Sequence, residues 1–139
     1  MAYGQTSFSD YINQLWLDGK KEEVLNIVQQ RLQQNPDDMI GLILKMEYEL
    51  GYLLIDDAQQ TMNRVLEVGK TIKTKNFSAI YPRLEANINI LQDALPNYPP
   101  EELKKDKAKI NISGKPMTFL KFIIALEKDG WVDLDKDKR

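Results

Sequence analysis

Six short stretches of the chain carry side chains at spacings that chemistry uses, and each fails a structural requirement or has a simpler explanation. Val68-Gly-Lys-Thr71 matches the end of a phosphate-binding loop. Such a loop needs a second glycine five residues before Gly69, where this chain has Arg64, and it must leave a strand, whereas this stretch prolongs a helical pattern. Asp133-Leu-Asp135-Lys-Asp137 spaces its acids like a calcium loop, but Lys138 stands where a glycine must turn and no bidentate glutamate follows. Glu47 and Glu49 flank Tyr48; residues two apart on a helix point to different faces, so they do not form a catalytic acid-base pair. Lys104, Lys105, Lys107, Lys109 and Lys115 cluster without interleaved aromatics and beside Glu101, Glu102 and Asp106, the pattern of a solvated segment and not of a base-stacking surface. Glu22, Glu23, Asp56 and Asp57 fall at helix starts, where the positive end of the dipole accounts for them.

Composition narrows the chemistry further. The 139 residues include no cysteine and no histidine. That excludes disulfides, thiolate nucleophiles, zinc-thiolate and iron-sulfur sites, imidazole bases and histidine-ligated metals. Nineteen basic and 21 acidic residues leave a net charge of -2, which supplies no drive toward phosphate backbones. The expectation is a binding protein that is not an enzyme, with no cofactor, no metal and no nucleic-acid partner. No apolar run approaches the roughly 18 to 20 residues of a membrane span. Phe119 to Leu126, the longest candidate, is interrupted by Lys121. Met1-Ala-Tyr-Gly-Gln lacks the regions of a signal peptide, leaving a cytoplasmic protein or an exported one with its signal removed.

The elements that position these residues are helices. Phe8, Tyr11, Ile12, Leu15 and Trp16 follow an amphipathic stripe, with Ser7 or Ser9 as its cap and Gly19 as its stop. A second stripe through Val24, Leu25, Ile27, Val28 and Leu32 ends at Asn35-Pro36. Asp37 or Asp38 caps a third helix carrying Ile40, Ile43, Leu44, Tyr48 and Leu50, and a fourth begins near Asp56-Asp57. Phe77, Ile80, Tyr81, Leu84, Ile88, Leu91 and Leu95 form a fifth stripe; Pro82 inside it places the helix start at about Tyr81. Beyond Pro96-Asn-Tyr-Pro-Pro100 the pattern predicts a short helix over 101–109, a short strand over 110–113 and a last helix through Phe119, Phe122, Ile123 and Leu126. Trp131 and Val132 are expected to fold back on that helix, and 133–139 to form a frayed tail.

The first four helices repeat. Shifted by 34 residues, Phe8 falls on Leu42, Ile12 on Met46, Val24 on Ala58, Val28 on Met62 and Leu32 on Leu66. Gly19-Lys-Lys-Glu-Glu-Val-Leu, followed by Leu32-Gln-Gln-Asn-Pro36-Asp-Asp, resembles the second helix of a tetratricopeptide (TPR) repeat and its exit. The likeness covers about residues 5–72. Val24 stands where that family usually has alanine, Ile12 and Met46 where it has glycine or alanine, and Lys70 where it has the closing proline. The expected fold is one all-α domain: two TPR-like antiparallel hairpins over 5–72, capping helices over 77–132, and the tail.

The resemblance implies that the first helix of each hairpin lines a concave face. With Phe8, Ile12 and Leu15 packed inward, the face would present Ser9, Asn13 and Trp16 from the first hairpin and Ile43 and Glu47 from the second. The family's clamp for a C-terminal carboxylate is matched only at Asn13; Ser9 and Leu44 stand where it has lysine and a second asparagine, so a chaperone tail is not the expected ligand. The expected function is a non-catalytic interaction module holding a peptide or helix of a partner protein. Alternatives are a bacterial immunity or antitoxin-type inhibitor, consistent with a pI near 5.2, and a ligand-binding protein or carboxylate enzyme with an inter-helical pocket. A two-unit solenoid needs its open end covered, by its own C-terminal helices as a monomer or by a second copy in a dimer through them.

Overall fold

The computed structural model describes residues 7–52, 54–94 and 119–131. Among them are six helices: α1 (Phe8–Leu17), α2 (Lys21–Gln34), α3 (Met39–Gly51), α4 (Ile55–Gly69), α5 (Lys75–Ala94) and α6 (Leu120–Lys128). The all-α class is as expected, and α1–α2 and α3–α4 pack as successive antiparallel hairpins. The predicted helix over 101–109, the strand over 110–113, the lysine cluster and the tail lie outside the described residues.

Local chemistry sets the boundaries of the first hairpins. Ser7 caps α1, its hydroxyl accepting from the Asp10 N–H at 3.1 Å. Gly19 ends the helix at φ 75°, with Gly19 N–H donating to Trp16 O and Lys20 N–H to Leu15 O, the paired bonds of a left-handed glycine cap. Asn35, held extended by Pro36, ends α2, and Asp38 caps α3 through the Gly41 N–H at 2.8 Å. Positions 34 residues apart share their burial: Phe8 with Leu42, Ile12 with Met46, Val24 with Ala58 and Val28 with Met62 are all inside one core.

α3 is the central helix. It packs on α2 and α4, and Met39, Ile40, Leu42, Ile43, Leu44 and Met46 are all buried. A triad inside the α3–α4 interface satisfies its polar groups: the Thr61 hydroxyl donates to Glu49 Oε1 at 2.6 Å, and Lys45 Nζ reaches Glu49 Oε2 at 2.8 Å.

The start of α5 corrects the expectation set by Pro82. The helix begins at Lys75, a full turn and a half before Tyr81, and Pro82 lies in its interior. An interior proline costs about 3 kcal/mol by losing a hydrogen bond and crowding the preceding turn. Here Pro82 and Ser78, whose carbonyl loses that bond, are both exposed, so the loss falls on the solvent side of the helix. Phe77 is fully buried by the extra turn. Asp129, from the end of α6, holds the new N-terminus by accepting from Phe77 N–H, Thr74 Oγ1 and Asn76 Nδ2. Tertiary contact outweighs the local rule.

Gly69 marks the close approach of α4 to α5. A Cβ there would meet Cε1 of Tyr81 inside van der Waals contact and Cδ1 at 3.0 Å. The ring cannot swing clear freely, because its hydroxyl donates to Leu66 O at 3.0 Å. Gly69→Val is expected to lower unfolding free energy by about 1–3 kcal/mol, the cost of overpacking. Gly51→Ala, with open space around its Cβ, serves as the neutral control. Urea midpoints check the pair; equal midpoints would show that Tyr81 repacks without strain.

Candidate functional site

The five residues expected on a concave face divide into two groups. Ser9 and Ile43 are not available to a partner: Ser9 is 4% exposed and Ile43 fully buried. For Ile43 the reason is that α3 is covered on nearly every side, which its run Met39-Ile-Gly-Leu-Ile-Leu44 already announces, since a helix apolar all round is a buried helix. For Ser9 the reason is α6. This helix packs across α1, α3 and α5, and so occupies the face that the first helices form. Phe119, Phe122, Ile123 and Leu126 are buried beneath it.

Three acids tie α6 to helix termini. Glu127 caps α1, accepting from the backbone N–H of Phe8, from that of Ser9 at 3.2 Å and from the Ser9 hydroxyl at 3.0 Å. Asp129 caps α5 as described, and these hydrogen bonds outweigh partial burial to hold its carboxyl below the usual range. Glu47 reciprocates at the other end: Oε1 accepts from Phe119 N–H, at the start of α6, at 3.0 Å. Burial of this carboxyl raises its pKa to about 7, against the smaller opposing effect of the Phe119 hydrogen bond. Glu47 is therefore a support for α6 and not a groove-lining contact. Glu49 points into α4, so the two carboxylates diverge as their spacing predicts.

Asn13 and Trp16 remain at the surface, both partly buried. Trp16 packs against the core edge, and its Nε1 is covered with no hydrogen-bond partner among the described residues. Lys21, at the start of α2, places Nζ 5.5 Å from the Trp16 ring and 5.5 Å from the Tyr52 ring. Tyr52 stacks on Tyr48 with centroids 4.6 Å apart. Partial burial, then the Glu22 carboxylate and Tyr48, push the Tyr52 phenol above its ordinary value. Two rings at i, i+4 and a lysine five residues after the tryptophan were the available signals for this patch. Leu17, Tyr52 and Leu54, three of the four large apolar side chains most exposed among the described residues, lie at the ends of α1 and α3 or just beyond them.

Other chemistry-bearing stretches take ordinary structural roles. Val68 and Gly69 finish α4, and the Thr71 hydroxyl donates to Val68 O at 2.7 Å, so this segment is a helix end. Among the described residues no three acids converge as a metal site would require, and no described helix is long and apolar enough to cross a membrane. An open groove of about 290 Å³ runs between α5 and α6. No family model, curated protein or solved structure matches the chain.

Proposed function

We propose that the chain is a non-catalytic protein-interaction module built on two tetratricopeptide-like hairpins, contacting its partner through the Trp16, Lys21, Tyr48 and Tyr52 surface. The observation that carries this reading is the sharing of one lysine by two rings at the ends of α1 and α3. Aromatic side chains flanking a cation are enriched where proteins bind, because they offer large area at small entropic cost and a charge to orient the partner. The equal burial of residues 34 apart supports the tetratricopeptide-like reading of the hairpins. With α6 across much of the first-helix face, a partner peptide engages the end where Asn13 and Trp16 are partly exposed. Glu47, a partly buried acid, accepts from the Phe119 N–H at the start of α6 and does not line the α5–α6 groove, which favours binding over acid catalysis.

The test is quantitative capture from the source organism with wild-type, Trp16→Ala/Tyr52→Ala and Lys21→Glu baits, each checked for native helicity. Proteins recovered by wild type should fall at least about tenfold with the double variant, the loss typical of central aromatic contacts. If every captured protein stays at wild-type level on both variants, this surface is not the interaction site.

A further inference from the structure

The α5–α6 groove has a pattern that its structural role leaves unexplained. From α5 it is lined by Asn76, Ala79, Ile80 and Arg83, and from α6 by Lys121, Ile124, Ala125 and Lys128. Each set is an i, i+3, i+4, i+7 stripe, so each helix turns one continuous face toward the groove. The bonds from Asp129 to Thr74, Asn76 and Phe77 bring the end of α6 to the start of α5, so the helices run antiparallel. Asn76 therefore faces Lys128 at one end, Arg83 faces Lys121 at the other, and alanine and isoleucine from both helices make the floor between them.

Charge along the groove is unbalanced. Arg83, Lys121 and Lys128 are exposed, and among the described residues no carboxylate pairs with any of them. The two acids that flank Lys128, Glu127 and Asp129, spend their oxygens on the starts of α1 and α5. Three cations without a carboxylate partner among the described residues, Lys121 with its Nζ 5.4 Å from the Phe122 ring, stand out around one apolar trough on a chain whose net charge is -2.

We infer that this groove docks an acidic amphipathic helix from a partner protein, with carboxylates two turns apart flanking an apolar pair. Ala79 and Ala125 leave the low floor that lets a third helix settle between α5 and α6. Lys121 and Lys128 are seven residues apart, two helical turns, so glutamates at that spacing meet a cation at each end while leucines between them cover Ile80 and Ile124. A small anion does not use this length, and the open trough would leave much of a small ligand in water, unlike a site that encloses it. A nucleic-acid strand would find three cations and no ring on which to stack a base. The groove is separate from the Trp16 surface, so failure of one proposal leaves the other standing.

The probe is a synthetic helical peptide with two glutamates seven residues apart flanking two leucines, added to the full-length ¹⁵N-labelled chain. Amide shifts should concentrate at 76–83 and 121–128. The same peptide with glutamine in place of glutamate should bind at least about tenfold more weakly, as should the wild peptide to the Arg83→Glu/Lys121→Glu chain. Ala79→Leu, on an exposed helix face, should fill the trough and block binding without lowering the melting temperature. The inference is overturned if the glutamate peptide does not bind at millimolar concentration, if the glutamine peptide binds equally well, if shifts fall elsewhere, or if an oligonucleotide binds the same face as tightly.

Discussion

Replacing Asp38 with alanine is expected to cost about 2–4 kcal/mol, from one lost helix cap and one lost charge-assisted fork. Asp38 holds two structures at once. Its Oδ2 caps α3 through the Gly41 N–H at 2.8 Å, while Oδ2 and Oδ1 take the Arg31 fork at 2.6 and 3.0 Å. The side chains are only 14% and 10% exposed, so solvent does little to screen either charge. The Arg31 guanidinium also donates to Trp131 O at 3.3 Å and lies 5.5 Å from the Phe8 ring. Loss of the carboxylate therefore removes the α3 cap and the α2–α3 fork together, at a corner where α2, α3 and the end of α6 meet. Asp38→Asn separates the roles: asparagine still caps, so it should recover about 1 kcal/mol relative to alanine but not the charge pairing. Chemical denaturation of wild type and both Asp38 variants measures these losses. An Asp38→Ala chain within about 1 kcal/mol of wild type would show that the corner is wetter than its geometry indicates.

That corner also shows what the sequence made legible. Ser7, Gly19, Pro36 and Asp38 act within a few residues of where they stand, and each ends or begins its helix as its chemistry requires. The 34-residue spacing correctly pairs Phe8 with Leu42 and Val24 with Ala58 as core positions. A periodic stripe tells which side of a helix is buried but not what buries it. Ser9 lies on the covered side because Glu127, 118 residues away, accepts its hydroxyl and N–H. No local pattern encodes that pairing. The start of α5 escaped prediction for the same reason: Pro82 speaks locally for a boundary, while Asp129 supplies a distant cap that moves it to Lys75. The Lys21, Tyr48 and Tyr52 patch needed two hairpins to be juxtaposed before its spacing had meaning.

The anchors of α6 carry opposite pH signs, and the stronger expected effect comes from Glu47. Its folded pKa of about 7 lies above the ordinary 4.5, because burial disfavours the carboxylate more than the Phe119 N–H favours it. The folded chain therefore holds a proton that the unfolded chain releases. Glu47's contribution is fully present below about pH 4.5 and is lost as pH rises through 7. The interval between those values corresponds to roughly 3 kcal/mol at its upper bound, since one unit is worth about 1.4 kcal/mol. Asp129 behaves in reverse: its folded pKa is depressed below the ordinary 3.8, so its contribution is present above that value and is lost in more acidic solution. Stability should peak between the two limits. The absence of histidine makes the upper limit readable, because no imidazole titrates between pH 5 and 8. Urea unfolding of wild type should show a fall in stability from pH 5 to 8.5. Glu47→Gln, whose carbonyl can still accept from Phe119 N–H, should be flat over that interval and more stable than wild type at pH 8.5. A flat wild-type profile would mean that water reaches the Glu47 carboxyl and that its burial carries no penalty.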